Sequence, residues 1–164
     1  MDYSKLQTGD LIFFRSKGVL PFLIRKFARI SYNHVGVVVS NWGNLFLNEA
    51  VGRGILSQPL SNRIEGREKD ILIRRLRQPI NEKFYATRIN SVLGKKYDFK
   101  GLIINQGILQ IFGKWNGGDA GKEEGRFYCY EYCAWVYQEL FHWWKINPKD
   151  LLNSPLFETI FEEK

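Results

Sequence analysis

The sequence predicts an α+β fold in which a small antiparallel sheet packs against helices. Short apolar segments separated by turn residues fill the first half of the chain, a pattern typical of antiparallel strands joined by hairpins. Two later segments, 82–93 and 128–144, carry apolar residues at helical spacing. A chain of 164 residues with 45% hydrophobic content is long enough to bury a substantial core, and we expect a single domain over 1–164.

The first predicted elements are a turn, a strand and a helix. Gln7–Asp10 is a turn signal, and the apolar run Leu11–Phe14 after it predicts a short buried strand. Between Pro21 and Ile30, apolar residues recur at helical spacing with three basic residues among them, which predicts a short basic amphipathic helix. Such a helix usually packs on its own domain, and contact with an anionic membrane surface is the alternative.

A hairpin and a further strand follow. Val35–Val39 and Leu45–Ala50 are the predicted strands of the hairpin, and its turn lies around Trp42 and Gly43. Ile71–Leu76 is the fourth predicted strand.

The second half of the chain is predicted to be mainly helical. Glu82–Leu93 is predicted to form a helix, with Asn81 as its N-cap and Gly94 at its end. The glycine-rich segment Asn116–Gly125 is interpreted as a long loop. Tyr128–Trp144 has the clearest helical pattern of the chain.

The two cysteines, Cys129 and Cys133, lie about one helical turn apart. This spacing suits a disulfide poorly. Cys133 falls on the apolar stripe inside the predicted helix and is interpreted as a core residue. Cys129 lies in the first turn, where unpaired N–H groups and the helix dipole favour a thiolate and can stabilise an oxyanion. On this pattern alone, Cys129 is either a reactive thiol or an inert buried one.

The two histidines are placed differently relative to the thiols. His142 is nine residues beyond Cys133 and on the opposite helix face, so the sequence predicts no zinc site from it and the cysteines. His34 opens the second strand. If the hairpin loop has two or four residues, His34 and Glu49 are diagonal neighbours on one sheet face, about 7–8 Å apart at the backbone. Glu49 can then orient the imidazole; the alternative is a strand-opening histidine and a solvated carboxylate.

In their order along the chain, several segments resemble the motifs of the permuted NlpC-type cysteine peptidases, specifically the YiiX/YebB-like branch. The matching segments are Gly9–Phe13, His34–Val38, Glu49–Ala50, Gly94 with Tyr97–Phe99, Tyr128–Glu131, and a tail from Asn147 to Pro155. In ordinary NlpC enzymes the catalytic cysteine precedes the catalytic histidine along the chain, whereas here His34 precedes Cys129. The resemblance is therefore to a circularly permuted arrangement.

This resemblance implies a papain-like fold with Cys129, His34 and Glu49 as a catalytic triad. It implies cleavage of an amide bond in a peptide, isopeptide or lipid amide through an acyl-enzyme intermediate. Tyr128 and Tyr130 flank the nucleophile and are expected to contact substrate; Tyr130 stands where the family usually has serine. Neither a cofactor nor a metal is expected.

Two other functions remain open on the sequence. One is acyl transfer of the lecithin:retinol acyltransferase type, which resembles the same permuted arrangement and moves lipid acyl groups. The other is a non-enzymatic basic binding module, because the formal net charge is +7. Nucleic acid is not favoured as a partner, since no recognised binding motif is present. The chain opens without a secretory signal pattern, and we expect a cytoplasmic protein.

Overall fold

The computed structural model of the protein describes residues 3–102, 125–143 and 146–163, with the backbone alone at positions 20, 23, 24, 27 and 28. Its strands are β1 (Leu11–Phe14), β2 (His34–Asn41), β3 (Asn44–Val51), β4 (Gly54–Pro59), β5 (Ile71–Leu76), β6 (Lys96–Tyr97), β7 (Arg126–Phe127) and β8 (Phe157–Glu162). Its helices are α1 (Val19–Ala28), α2 (Ser61–Ile64), α3 (Glu82–Ser91), α4 (Phe99–Gly101), α5 (Cys129–Val136) and α6 (Pro148–Leu152).

A six-stranded antiparallel sheet organises the fold, in the order β4-β3-β2-β1-β5-β8. β6 and β7 form a separate parallel pair. The predicted α+β class, with an antiparallel sheet packed against helices, is confirmed. The sheet is larger than predicted because the sequence analysis missed β4 and β8. Both are edge strands with few buried residues, so the alternation of apolar and polar residues along them is weak.

Helix α5 is shorter than the helix predicted over Tyr128–Trp144. It ends at Val136, and Leu140 lies beyond it with 37% of its surface exposed. At Tyr137 the backbone leaves helical geometry, with φ −108° and ψ 36°. The Tyr137 side chain is buried, and its hydroxyl donates to the carbonyl of Gly9. The chain therefore gives up helical hydrogen bonds here and fills the core with an aromatic ring.

The other helices lie close to their predicted positions. α1 begins and ends two residues before the predicted range of 21–30. In α3, the Asn81 side chain accepts a hydrogen bond from a backbone N–H of the first turn, as predicted for an N-cap, and the helix ends at Ser91 rather than Leu93. The predicted loop Asn116–Gly125 lies outside the described residues except for Gly125.

Both faces of the sheet are covered. One face packs against α3 and α5 and forms the larger of two clusters of buried apolar side chains. The opposite face carries a smaller cluster that includes Leu6, Leu60 and Ile64. Within the described residues, no helix combines the length and the apolar character needed to cross a bilayer.

Asp10 joins the turn before β1 to the neighbouring strand β5. Its carboxylate is fully buried and accepts two hydrogen bonds of 2.7 Å from the Arg75 guanidinium and one of 2.9 Å from the N–H of Gln7. Gly9 before it has a φ of 92°, and a Cβ there would lie 2.7 Å from Ile80 Cδ1. The Gly9-Asp10 motif therefore has a structural role at a crowded turn, and neither residue lines the cavity of Cys129.

Candidate active site

Cys129 is the first residue of α5 and therefore lies in the first helical turn, where it was predicted. The turn is stabilised by Glu131, whose Oε2 accepts a hydrogen bond of 3.4 Å from the N–H of Tyr128. Only 3% of Cys129 is exposed, yet its side chain lines a cavity of about 370 Å³. Because N–H groups of the first helical turn have no acceptor within the helix, the N–H of Cys129 is available to a bound oxygen.

The hairpin β2–β3 brings His34 and Glu49 together. Its loop consists of Trp42 and Gly43, both with positive φ, as a two-residue hairpin turn requires. The predicted register is confirmed, since Gly36 pairs with Glu49. His34 and Glu49 are diagonal neighbours, and Nε2 of the imidazole lies 2.5 Å from Oε2 of the carboxylate.

Close approach of the two strands depends on Gly36. A Cβ at this position would lie 3.0 Å from Leu47 Cδ1 and 3.1 Å from the carbonyl oxygen of Asn48. These distances are tighter than ordinary van der Waals contact. The glycine therefore lets β3 approach β2 beside the pair formed by His34 and Glu49.

Two further side chains hold the Glu49 carboxylate, which is 1% exposed. The Arg63 guanidinium donates through Nε to Oε1 at 2.7 Å and through Nη2 to Oε2 at 2.9 Å. Gln58 also donates to Oε1. Neither residue was predicted from the sequence, because Gln58 lies on the edge strand β4 and Arg63 on the four-residue helix α2, and both elements are too short and weakly patterned to be recognised.

The charges at the site favour a protonated imidazole. Burial opposes the charged form of His34, but the negative charges of Cys129 and Glu49 outweigh it and raise the pKa of His34 from 6.5 to about 9. Burial also opposes ionisation of Glu49, but hydrogen bonds and charge from His34 and Arg63 lower the pKa of Glu49 to about 2. An imidazolium at His34, between the sulfur of Cys129 and the carboxylate of Glu49, is therefore favoured at neutral pH.

Tyr97 and Phe99 form part of the cavity wall beside Cys129 and His34. Burial, followed by the charge of Cys129 and a hydrogen bond with it, raises the pKa of Tyr97. The Tyr97 hydroxyl therefore stays protonated next to the thiol. The sequence analysis placed Tyr97 in a family-like motif but did not assign it to the site. The pairing of Tyr97 with Phe127, close to the start of α5, brings it there.

Tyr128 and Tyr130, which we predicted to contact substrate, lie elsewhere. Both are buried; the Tyr128 hydroxyl donates to the carbonyl of Ile146 at 3.2 Å, and the Tyr130 hydroxyl donates to the carbonyl of Tyr32 at 2.7 Å. Neither is among the residues that line the cavity of Cys129. Their hydroxyls instead tie the start of α5 to the core.

Cys133 and His142, the other cysteine and the other histidine of the chain, are not part of the site. Cys133 is fully buried, and burial raises the pKa of its thiol well above the ordinary value, as expected of an unreactive core residue. His142 lies beyond the end of α5. The structure therefore brings together Cys129, His34 and Glu49.

Comparison with known proteins finds a similar fold among solved structures but no match at the level of sequence families. No family model matches the chain, and a search of curated proteins finds no match. Among solved structures, the crystal structure of metalloprotein yiiX from Escherichia coli O157:H7 (DUF1105) matches with a TM-score of 0.71 and 22% identity. The match covers 96% of this chain and 97% of that chain. The predicted resemblance to the YiiX-like branch is confirmed as a shared fold.

Proposed function

We propose that the protein is a thiol-dependent hydrolase that cleaves an amide bond through Cys129, His34 and Glu49. The observation that carries the proposal is the 2.5 Å contact between Glu49 and His34, whose imidazole lines the same cavity as a cysteine at a helix start. A nucleophile, a base and a group that orients the base are the parts that covalent catalysis of acyl transfer requires.

The first half of the reaction forms an acyl-enzyme. Because Nε2 of His34 contacts Glu49, the other ring nitrogen, Nδ1, carries the proton given up by the Cys129 thiol, and the reactive pair is a thiolate and an imidazolium. The Cys129 thiolate attacks the substrate carbonyl carbon and the carbon–sulfur bond forms, while the carbonyl electron pair moves to oxygen. The N–H of Cys129 and the Tyr97 hydroxyl stabilise this oxyanion. As it collapses, the carbon–nitrogen bond breaks and the imidazolium gives its proton to the leaving amine.

The second half releases the acyl group. Water attacks the thioester, and His34 accepts a proton from that water. The carbon–sulfur bond breaks, a carboxylic acid leaves, and the thiolate–imidazolium pair is restored. Glu49 keeps its negative charge throughout and stabilises each imidazolium that forms.

The test is to trap the acyl-enzyme. The purified chain is mixed with 4-nitrophenyl acetate and quenched in acid, and the modified residue is mapped by mass spectrometry. We expect one acetyl group on Cys129, retained in Cys133→Ala and lost in Cys129→Ala. Acetylation that persists at the same level in Cys129→Ala would refute the proposal.

Acyl transfer to a lipid is the second candidate, and the surface of α1 favours it. Val19 and Phe22 are exposed large apolar residues, Lys26 is exposed on the same helix, and Pro21 lines the cavity of Cys129. A helix with exposed apolar and basic residues beside the thiol suits an anionic lipid surface. Sedimentation with anionic vesicles tests it: salt-sensitive binding that Phe22→Ser weakens supports acyl transfer, and no binding argues for hydrolysis of a water-soluble amide.

The yiiX structure is that of a metalloprotein, but the candidate site of this chain offers a poor set of metal ligands. In the ranges that the structure describes, no three His, Cys, Asp or Glu side chains are grouped so as to hold an ion. Both oxygens of Glu49 accept hydrogen bonds from the Arg63 guanidinium, whose positive charge opposes a cation. The described residues therefore do not fit a metal site, and the mechanism uses none.

A further inference from the structure

A second cavity, of about 490 Å³, lies beside the cavity of Cys129. Ser16 and Arg63 line both cavities, so the two are neighbours. We call the second cavity the basic recess; the charged side chains that line it are Arg15, Lys17, Arg63, Arg67 and Asp70. A substrate held at the thiol can extend past Arg63 into this recess.

The charge in the basic recess is unbalanced. Of its four cationic side chains, Arg63 is neutralised by Glu49, which leaves Arg15, Lys17 and Arg67 facing one carboxylate, Asp70. Arg15 lies over the ring of Tyr32, with 5.4 Å from its guanidinium carbon to the ring centre. Within the described ranges, no ion pair engages the exposed side chains of Lys17 and Arg67. Concave surfaces with excess charge of one sign concentrate ligands of the opposite sign.

The loop that carries Arg15 and Lys17 is fixed by hydrogen bonds. The N–H of Ser16 donates to Asn33 Oδ1 at 2.9 Å, and the carbonyl of Ser16 accepts from Arg25 Nη1 at 2.5 Å. The same Arg25 nitrogen donates to Asn33 at 2.8 Å. Asn33 directly precedes His34, so the loop and the imidazole are positioned from one point of the chain. A fixed loop lowers the entropy lost when a ligand binds.

We propose that the basic recess binds an anionic group of the substrate, a phosphate or a carboxylate, while the carbonyl of the same molecule lies at Cys129. Guanidinium groups such as those of Arg15 and Arg67 form paired hydrogen bonds with such anions, and the ammonium of Lys17 adds a point charge. The substrate class is then an acyl compound that carries a negative charge on the side of its scissile carbonyl that faces Arg63. This inference rests on the proposed function, because it identifies the substrate of that site.

Direct binding is measured first, with inorganic phosphate titrated into the full chain by calorimetry at constant ionic strength. The test variant is Lys17→Gln with Arg67→Gln. The control is Arg29→Gln with Lys83→Gln, which makes the same charge change at exposed positions outside the recess. We expect the test variant to weaken phosphate binding roughly tenfold or more, since two charged donors are lost, and the control to change it less than about twofold.

A matched pair of electrophiles then links the recess to the thiol. N-chloroacetyl-ethanolamine phosphate and N-chloroacetyl-ethanolamine differ only in the phosphate, and the rate at which each alkylates Cys129 is measured by mass spectrometry. We expect the ratio of the two rates, phosphorylated over neutral, to fall roughly tenfold in the test variant and to stay constant in the control.

The outcomes separate this inference from the proposed function. Phosphate binding that is lost in the test variant supports the basic recess even if Cys129 proves unreactive, in which case the hydrolase proposal alone is refuted. Equal phosphate binding by wild type, test variant and control, together with an unchanged ratio of alkylation rates, overturns the inference even if Cys129 reacts rapidly.

Discussion

Replacement of Glu49 by glutamine keeps the size of the side chain and removes the negative charge that faces both His34 and Arg63. The glutamine amide has one acceptor oxygen where the carboxylate has two, and its NH₂ group points a donor at a cationic neighbour. The variant therefore leaves the Arg63 guanidinium and the imidazole without their shared counter-charge.

The magnitude follows from burial. Glu49 is 1% exposed, Arg63 19% and His34 13%. Loss of one member of a buried ion pair costs about 3–5 kcal/mol, and the partial exposure of Arg63 places the expected loss near the lower value, about 3 kcal/mol. The total stability of a domain is about 5–15 kcal/mol, so the substitution should remove a fifth of it or more. In the double variant Glu49→Gln with Arg63→Gln, the loss of free energy of unfolding should be about 1–3 kcal/mol smaller than the sum of the two single losses. The reason is that the second substitution removes the charged group that the first one leaves unpaired.

Urea denaturation at neutral pH measures these losses in the two single variants and the double variant. The control is the exposed pair Arg77 and Glu158, whose side chains are 59% and 47% exposed and 3.5 Å apart. Substitution of either by glutamine should change the free energy of unfolding by at most about 0.5 kcal/mol. A loss below about 1 kcal/mol in Glu49→Gln, or full additivity with Arg63→Gln, would refute the reasoning.

Three further predictions address the surroundings of the site. Gly36→Ala places a methyl group 3.0 Å from Leu47 Cδ1 and should lower the free energy of unfolding by about 1–3 kcal/mol; an unchanged melting temperature would contradict the close approach. Asp10→Ala removes the carboxylate partner of Arg75, which keeps its hydrogen bond to the carbonyl of Lys5, and should cost about 3 kcal/mol in urea denaturation; a loss below about 1 kcal/mol would show that the buried pair contributes little. The pKa of His34 is raised from 6.5 to about 9, so a protonated His34 stabilises the folded state. The difference in free energy of unfolding between wild type and His34→Gln should therefore be largest below pH 6.5 and should disappear as the pH rises through 9. A difference that grows with pH would contradict a protonated His34.

The hairpin was predictable because strand geometry has a period of two. Once Trp42 and Gly43 form a two-residue loop, the positions of all residues on both strands follow, including His34 and Glu49 on one face. The start of α5 was also predictable, because the helical spacing of apolar residues begins at Tyr128 and Cys129 shortly after a glycine-rich segment. These parts of the site depend on contacts between residues that are close in the sequence.

The parts that were missed depend on distant contacts or on single-residue detail. Arg63 reaches Glu49 only because the edge strand β4, which has a weak pattern, returns the chain to the sheet. Tyr97 reaches the thiol through the short parallel pair β6–β7. Tyr128 and Tyr130 flank Cys129 in the sequence, but successive residues on a helix point about 100° apart, so adjacency in sequence did not place them in one cavity.

Alkylation of the two cysteines by a limiting amount of iodoacetamide near neutral pH tests the central claim most directly. The rates at Cys129 and Cys133 are mapped by mass spectrometry in wild type and in His34→Ala. We predict fast alkylation of Cys129, slow alkylation of the buried Cys133, and a fall of at least about tenfold at Cys129 when the imidazole is removed. Slow alkylation of both cysteines, with no change in His34→Ala, would contradict the account of Cys129 and His34 as a reactive pair.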